Sequence, residues 1–171
     1  MTALDAEDPG GYWGPVPPPI ELPPRTERQW VDQMTDLATV ARAMTESPLL
    51  AVDVEFVAAR PTDAASTPRL SLIQIADAHH CYVVDALRLV DLTPLALAFE
   101  HPEVVKIFHG VGSDLRVLGL RGLQVTHTVD LEAVSRSIFG SRESGLQAML
   151  RRACGIHLDK TLQRSDWTQR P

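Results

Sequence analysis

The sequence lacks the features of a membrane or secreted protein. No apolar run approaches the roughly 20 residues needed to cross a bilayer. The N-terminus carries acidic residues and prolines where a signal peptide has a basic and then an apolar segment. The only cysteines, Cys81 and Cys154, have no Cys-x-x-Cys or Cys/His spacing, so neither a disulfide framework nor a zinc site is indicated. We therefore expect a cytoplasmic protein without membrane contacts.

An excess of basic charge is also absent. The formal net charge is -6 at pH 7, which argues against a general basic surface for nucleic acid, because counterion release requires clustered Lys and Arg. This charge does not exclude a nuclease whose carboxylates hold divalent cations, since those cations supply positive charge locally.

Length and composition fit one folded domain with a leader. The 171 residues are 44% hydrophobic, enough for a sizeable core. Residues 1–26 contain most of the prolines, so we expect a flexible or polyproline II leader there, with a PxxP docking motif as the alternative. Residues 27–171 are predicted to form the domain.

The apolar pattern predicts a mixed α/β succession. Thr35 is a plausible N-cap for a first helix, which Pro48 ends. Three strands are then expected to form an antiparallel meander, at 49–56, 70–75 and 81–84. A helix at 92–99, a strand at 104–108 and helices at 114–120, 131–138 and 146–154 should follow.

Two acids lie on the first predicted strand of the meander. Asp53 and Glu55 are alternate residues in Leu49-Leu50-Ala51-Val52-Asp53-Val54-Glu55-Phe56, so both carboxylates point to one face. Two like charges so close on an apolar strand repel each other, a cost that a shared divalent cation offsets. A strand with one solvated face is the alternative for this fragment alone.

A third acid follows the buried strand at 104–108. In Phe108-His109-Gly110-Val111-Gly112-Ser113-Asp114, glycines turn the chain and Asp114 enters the first turn of a helix. An acid there also favours the helix dipole. Together with Asp53 and Glu55, it supplies a third carboxylate for a two-cation site.

These motifs, in this order, resemble the DEDD superfamily of 3′-5′ exonucleases, in its ribonuclease D-like branch. The resemblance runs from about Trp30 to the end. The resemblance rests on six segments: Asp53-Val54-Glu55-Phe56, Leu70-Ser71-Leu72-Ile73-Gln74-Ile75, His109-Gly110 with Asp114, Thr128-Val129-Asp130-Leu131, Leu158-Asp159-Lys160, and Ser165-Asp166-Trp167 with Arg170-Pro171.

The resemblance implies a fold and a reaction. The fold would be a ribonuclease H-like mixed sheet, an antiparallel meander plus parallel strands, flanked by helices. The reaction would be removal of nucleotides from a single-stranded 3′ end, RNA rather than DNA, with two divalent cations, Mg²⁺ or Mn²⁺. Asp53 would bind both cations, Glu55 would lie on the nucleophile side, and Asp114 would help hold the second cation.

The resemblance also suggests substrate contacts. Phe56 would stack on a terminal base, with core packing as an equal alternative, and His109 is a further candidate. Lys160, Arg164 and Arg170 would contact phosphates, unless they serve only surface solubility. Asp85 and Asp130 are expected to be structural caps.

One expected motif is missing from the 171 residues. The third exonuclease motif is Tyr-x-x-x-Asp or His-x-x-x-Asp, and neither Tyr12 nor Tyr82 has such a context. We therefore expect a C-terminally incomplete domain, with incomplete final helices, that is weak or inactive alone, because parts of such a site act as a unit. A catalytically silent nucleic-acid or protein-binding module on the same fold is the alternative.

Overall fold

One mixed sheet organises the protein. The computed structural model describes residues 16–21, 27–58, 67–140, 144–159, 161 and 165–170. Within these residues six strands pair in the order β1-β4-β3-β2-β5-β6. The strands are β1 (Glu27–Val31), β2 (Leu49–Val57), β3 (Arg69–Ala76), β4 (His80–Asp85), β5 (Val105–Phe108) and β6 (Thr128–Asp130).

Strand direction places the carboxyl ends of most strands at one edge of the sheet. β3 is antiparallel to both β2 and β4, whereas the pairs β1–β4, β2–β5 and β5–β6 are parallel. Five of the six strands therefore point the same way, and their carboxyl ends lie at a common edge. Such edges are where ligands bind in open α/β sheets.

Helices follow and flank the strands. They are α1 (Met34–Met44), a 3₁₀ turn (Thr93–Leu95) continuing into the short α2 (Ala96–Phe99), α3 (Gly112–Leu120), α4 (Leu131–Phe139) and α5 (Leu146–Cys154). Buried Leu37 and Met44 of α1 belong to the same apolar core as Leu50, Val52 and Val54 of β2. Alternate β2 residues are thus core residues, which leaves the opposite face of β2 for polar side chains. No helix in the described residues is long and apolar enough to span a membrane.

A buried lysine fixes the start of β5. Lys106 is fully buried, and its Nζ donates hydrogen bonds to the carbonyls of His101 at 3.1 Å and Val104 at 2.7 Å. Burial lowers the pKa of Lys106. These bonds satisfy carbonyls in the turn that leads into β5, whose other end leads into the candidate site.

The mixed α/β prediction and the antiparallel meander are confirmed, but some local predictions are not. Thr35 does not cap α1: the helix begins at Met34, because Gln33, two residues before Thr35, is the last extended residue and occupies the N-cap position. The strands β1 and β6 were not predicted. β1 is mostly exposed and β6 has only three residues, so neither has a clear apolar alternation.

Some of the residues predicted to form a leader contact the end of α5. The amide of Ile20 donates a 2.9 Å hydrogen bond to the carbonyl of Cys154, at the end of α5. Gly155 adopts a left-handed conformation, with φ of +67°. A Cβ at this position would collide with the Pro17 carbonyl oxygen. The extent of a leader over residues 1–26 stays a prediction, and most of those residues lie outside the described part of the chain.

Candidate active site

The first part of the site is the polar face of β2. Leu50, Val52 and Val54 are buried, whereas Asp53 is exposed and Glu55 half-buried. The period of two along a strand therefore places both carboxylates on the face turned away from the core, as the sequence indicated. Asp53 lies opposite Gln74 of β3, whose Nε2 donates a 3.5 Å hydrogen bond to Asp53 Oδ2.

The second part is the turn between β5 and α3. Gly110 has φ of +79°, a conformation that favours glycine, and a Cβ there would lie 3.3 Å from Glu132 Oε2. This turn starts α3 at Gly112 and brings Asp114 into its first turn, only 7% exposed. Ser113 Oγ donates a 3.2 Å hydrogen bond to Asp114 Oδ1.

The three carboxylates are electrostatically coupled. Burial, followed by the charges of Asp53 and Asp114, raises the pKa of Glu55 to about 7. Burial also raises the pKa of Asp114 to about 6; the Ser113 hydrogen bond opposes this shift, and Asp53 and Asp130 add to it. Residues from two separate elements therefore converge in one negatively charged region. Like charges held together at a cost in this way are typical of functional sites.

Asp130 supports the turn that carries Asp114. Its Oδ1 accepts hydrogen bonds from the amides of Gly110 at 2.8 Å and Glu132 at 2.9 Å. Burial acts to raise the pKa of Asp130, but these and further backbone hydrogen bonds outweigh burial and lower it. Asp130 thus caps α4 and joins it to the turn after β5, which confirms the structural cap expected from the sequence.

The residues present suit a hard divalent cation. Carboxylate oxygens are the ligands that Mg²⁺ and Mn²⁺ prefer, and among the described residues none of these three acids is in an ion pair. Burial and neighbouring acids raise the pKa values of Glu55 and Asp114, and bound positive charge would relieve the repulsion among the acids. As they stand, the described His, Cys, Asp and Glu side chains form no group of three or more arranged to hold an ion. The acids therefore supply negative charge suited to a divalent cation, but their side chains are not already arranged as a coordination shell.

Comparison with known proteins decides the family. A family model described as 3′-5′ exonuclease matches residues 28–171. This chain belongs to the 3′-5′ exonuclease family. Ribonuclease D of Gluconacetobacter diazotrophicus is 33% identical over 138 residues, and ribonuclease D of Escherichia coli is 31% identical over 136. These relatives place the chain in the ribonuclease D-like DEDD branch, whose members generally use divalent metal ions.

Solved structures agree with the fold of this exonuclease domain. The Escherichia coli RNase D structure matches with a TM-score of 0.75 and 29% identity, covering 85% of this chain and 38% of that one. The catalytic core of RRP6 from Trypanosoma brucei matches with a TM-score of 0.77 and 25% identity, covering 92% and 43%. By sequence, this chain is matched over 79% and 80% of its length by the two ribonucleases D, but it spans only 35% and 34% of theirs.

Four other residues are predicted to contact substrate, and two of them lie in the described part of the chain. Phe56 is half-buried and packs against the apolar core. His109 Nε2 lies 2.8 Å from the carbonyl oxygen of Ser144, which links the turn after β5 to the start of α5. Lys160 and Arg164 lie outside the described residues. The substrate contacts of all four stay predictions.

Arg170 lies in a half-buried ion pair with Asp85. Its Nε donates a 2.7 Å hydrogen bond to Asp85 Oδ2, in an ion pair whose side chains are 23% and 4% exposed, respectively. Asp85 also caps the following turn, since it accepts from the amides of Leu87 and Arg88. The expected capping role of Asp85 is confirmed. The Arg170 side chain is half-buried in this ion pair, so it is not a solvated surface residue, and its phosphate contact stays a prediction.

Two neighbours of the acids were missed in the sequence. Gln74 contacts Asp53, and Ser113 contacts Asp114. Ser113 adjoins Asp114 in the sequence, so a local hydrogen bond could have been anticipated. Gln74 carried no comparable signal, because its approach to Asp53 depends on the register between β2 and β3.

Proposed function

We propose that this chain is the exonuclease domain of a two-cation 3′-5′ exonuclease that removes nucleotides from single-stranded 3′ ends, RNA rather than DNA. The observation that carries the proposal is the convergence of Asp53, Glu55 and Asp114. Burial, followed by the charges of neighbouring acids, raises the pKa values of Glu55 and Asp114. RNA is favoured by the ribonuclease D relatives. It is also favoured by Trypanosoma brucei RNase D, which shares the fold at a TM-score of 0.72 and 20% identity and was solved in complex with RNA U12.

The chain's own residues define the chemistry at this site. Asp53, the most exposed of the three acids, would hold both cations. Glu55 would help hold the cation beside the attacking water. Buried Asp114 would help hold the cation beside the leaving 3′ oxygen. When bound, two divalent cations would activate the attacking water and neutralise charge on the leaving oxygen.

Cation selectivity between Mg²⁺ and Mn²⁺ would be weak at such a site. Both ions accept carboxylate and water ligands. We expect low activity from the 171 residues alone, because they contain no third exonuclease motif to orient the water and complete the ligand set.

The test is cleavage of a 5′-labelled single-stranded RNA, beside the same DNA sequence, with Mg²⁺ or Mn²⁺. The variants are the full chain, Asp53→Asn, and Asp36→Asn as a matched control on α1, which packs on the opposite face of the sheet. We expect a ladder that shortens from the 3′ end, disappears with Asp53→Asn and persists with Asp36→Asn.

Cation binding is measured in parallel, by calorimetry and by the electron paramagnetic resonance of free Mn²⁺, because weak cleavage alone is ambiguous. Asp53→Asn should abolish Mn²⁺ binding while the chain remains folded. RNA binding by a folded chain that neither binds Mn²⁺ nor cleaves RNA would favour the silent binding module instead.

A further inference from the structure

All donors of the Arg170 guanidinium are already used within the protein. Nε and Nη2 bind the two carboxylate oxygens of Asp85 at 2.7 and 2.8 Å. Nη1 donates to the carbonyls of Trp167 at 2.8 Å and Gln169 at 3.0 Å, and Nη2 also lies 3.2 Å from both the carbonyl and Oγ of Ser71. Since a guanidinium has five N–H donors, none remains for a phosphate.

The cavity beside Arg170 is also poorly suited to binding a phosphate. It encloses about 310 Å³, lined by Trp30, Asp32, Asp85, Leu87, Arg88, Thr168 and Arg170. Its charged side chains are matched in pairs, Asp85 with Arg170 and Asp32 with Arg88 at 3.1 Å. The cavity therefore has no unpaired cation with which to hold a phosphate.

Ser71, the third partner of Arg170, lies at an irregularity in the sheet. Glu55 is opposite Leu72, but the next residue, Phe56, is opposite Leu70. Ser71 is thus the extra residue of a β-bulge in β3, and it is fully buried. Its Oγ also donates a hydrogen bond to the Trp167 carbonyl. Bulges change the direction of neighbouring side chains and are frequent next to active sites.

The bulge and the ion pair lie in the same row of the sheet as Glu55. Leu72 is opposite Glu55 on one side and Asp85 on the other. Two strand spacings, about 10 Å, therefore separate Glu55 from Asp85. Arg170 binds both Asp85 and Ser71. It therefore contacts β3 at the bulge, where the pairing register between β2 and β3 shifts just after Glu55.

We propose that Arg170 is a positioning residue for the cation site. Its bonds to Asp85 and Ser71 hold the β3 bulge, and the bulge sets the direction in which Glu55 presents its carboxylate toward Asp53 and Asp114. This inference rests on the proposed function. It gives the Trp167–Arg170 segment a role in cation binding through the sheet, without contact with the nucleic acid.

The decisive measurement is Mn²⁺ affinity of the full chain, followed by calorimetry and electron paramagnetic resonance. Arg170→Gln should weaken Mn²⁺ binding by up to about tenfold. Loss of a direct partner of a metal ligand costs about 10–100-fold, and Arg170 acts on Glu55 only through the bulge. Arg170→Lys should not restore affinity, since an ammonium lacks the planar fork that binds Asp85 and Ser71 together. Ser71→Ala, which keeps the ion pair with Asp85, should give a smaller loss.

Arg88→Gln is the matched control. Arg88 lines the same cavity and forms an ion pair, yet the structure gives it no contact with Ser71. Its Mn²⁺ affinity should equal that of the unmodified chain. In cleavage assays, Arg170→Gln should raise the Mg²⁺ concentration needed for half-maximal rate and leave KM for RNA within about twofold, because no phosphate contact is lost.

The outcomes separate this inference from the proposed function. If Asp53→Asn abolishes Mn²⁺ binding but Arg170→Gln and Ser71→Ala leave it unchanged, Arg170 has no positioning role. A raised KM and a shallower salt dependence with Arg170→Gln would instead indicate a phosphate contact. If Asp53→Asn itself leaves Mn²⁺ binding intact, the proposed cation site is wrong. Should Arg170→Gln fail to fold, Ser71→Ala alone decides the matter.

Discussion

The amide of Gly110 donates a 2.8 Å hydrogen bond to Oδ1 of Asp130. The donor follows β5 and the acceptor ends β6, two strands that pair in parallel. One carboxylate therefore caps α4 and holds the turn from which α3 presents Asp114. The position of a candidate ligand thus depends on a residue that would not itself touch a cation.

We expect Asp130→Ala to destabilise the fold by about 2 kcal/mol, because it removes an N-cap and leaves the Gly110 amide without its partner. Urea unfolding at pH 7 measures this loss. Asp91→Ala is the control: within the described part of the chain, the Asp91 carboxylate bonds to Thr93 in an exposed turn, and its removal should cost less. Equal losses from the two variants would show that the bond to Gly110 adds nothing.

The pKa of Glu55 predicts a specific pH dependence of stability. Burial and the neighbouring acids raise this pKa from 4.5 to about 7. Folding therefore favours the protonated form. The stability that this proton contributes is fully present below pH 4.5 and is lost as the pH rises through about 7. Without divalent cations, the unmodified chain should lose stability relative to Glu55→Gln between pH 5 and pH 8.

Urea unfolding in the presence of a chelator, at pH 5 and pH 8, tests this prediction. Glu46→Gln, at an exposed position after α1, should follow the unmodified chain at both pH values. If Glu55→Gln does so as well, Glu55 is not under the repulsion described. Cation binding has the opposite pH dependence to stability, because ligand carboxylates must be deprotonated. Mn²⁺ affinity should therefore rise between pH 5.5 and 7.5.

Gly155 tests the contact between residues 16–21 and α5. Gly155→Ala should cost more than the roughly 1–2 kcal/mol of a left-handed alanine, because its Cβ would also collide with the backbone of Pro17, Pro18 and Pro19. Gly122→Ala is the matched control, since Gly122 has φ of +75° and open space around its Cβ position. Urea unfolding gives the costs, and amide exchange at Ile20 reports the contact.

The expected result is a larger loss for Gly155→Ala than for Gly122→Ala, with faster exchange of the Ile20 amide in Gly155→Ala alone. Similar losses and unchanged Ile20 exchange would show that residues 17–20 do not pack on Gly155 in solution. Such a result would return this segment to the flexible leader predicted from the sequence.

Local periodicity was enough to predict much of the scaffold and the acids of the site. Alternation along 49–56 placed Asp53 and Glu55 on one face of a strand, and the bounds of α5 matched the prediction. Such features depend on residues close in the chain, whose geometry is set by the strand and helix repeats. The motifs around Asp53 and Asp114 likewise led to the family that the comparisons established.

What only the tertiary structure decided are relations between residues distant in the chain. Arg170 forms an ion pair with Asp85, which lies 85 residues earlier in the sequence. The β3 bulge places Ser71 beside this pair. The raised pKa of Glu55 depends on Asp114 of another element. The sequence alone determined which side chains share a strand face or a helix turn. Strand order, register and burial determined which faces meet, because these depend on pairing across the whole sheet.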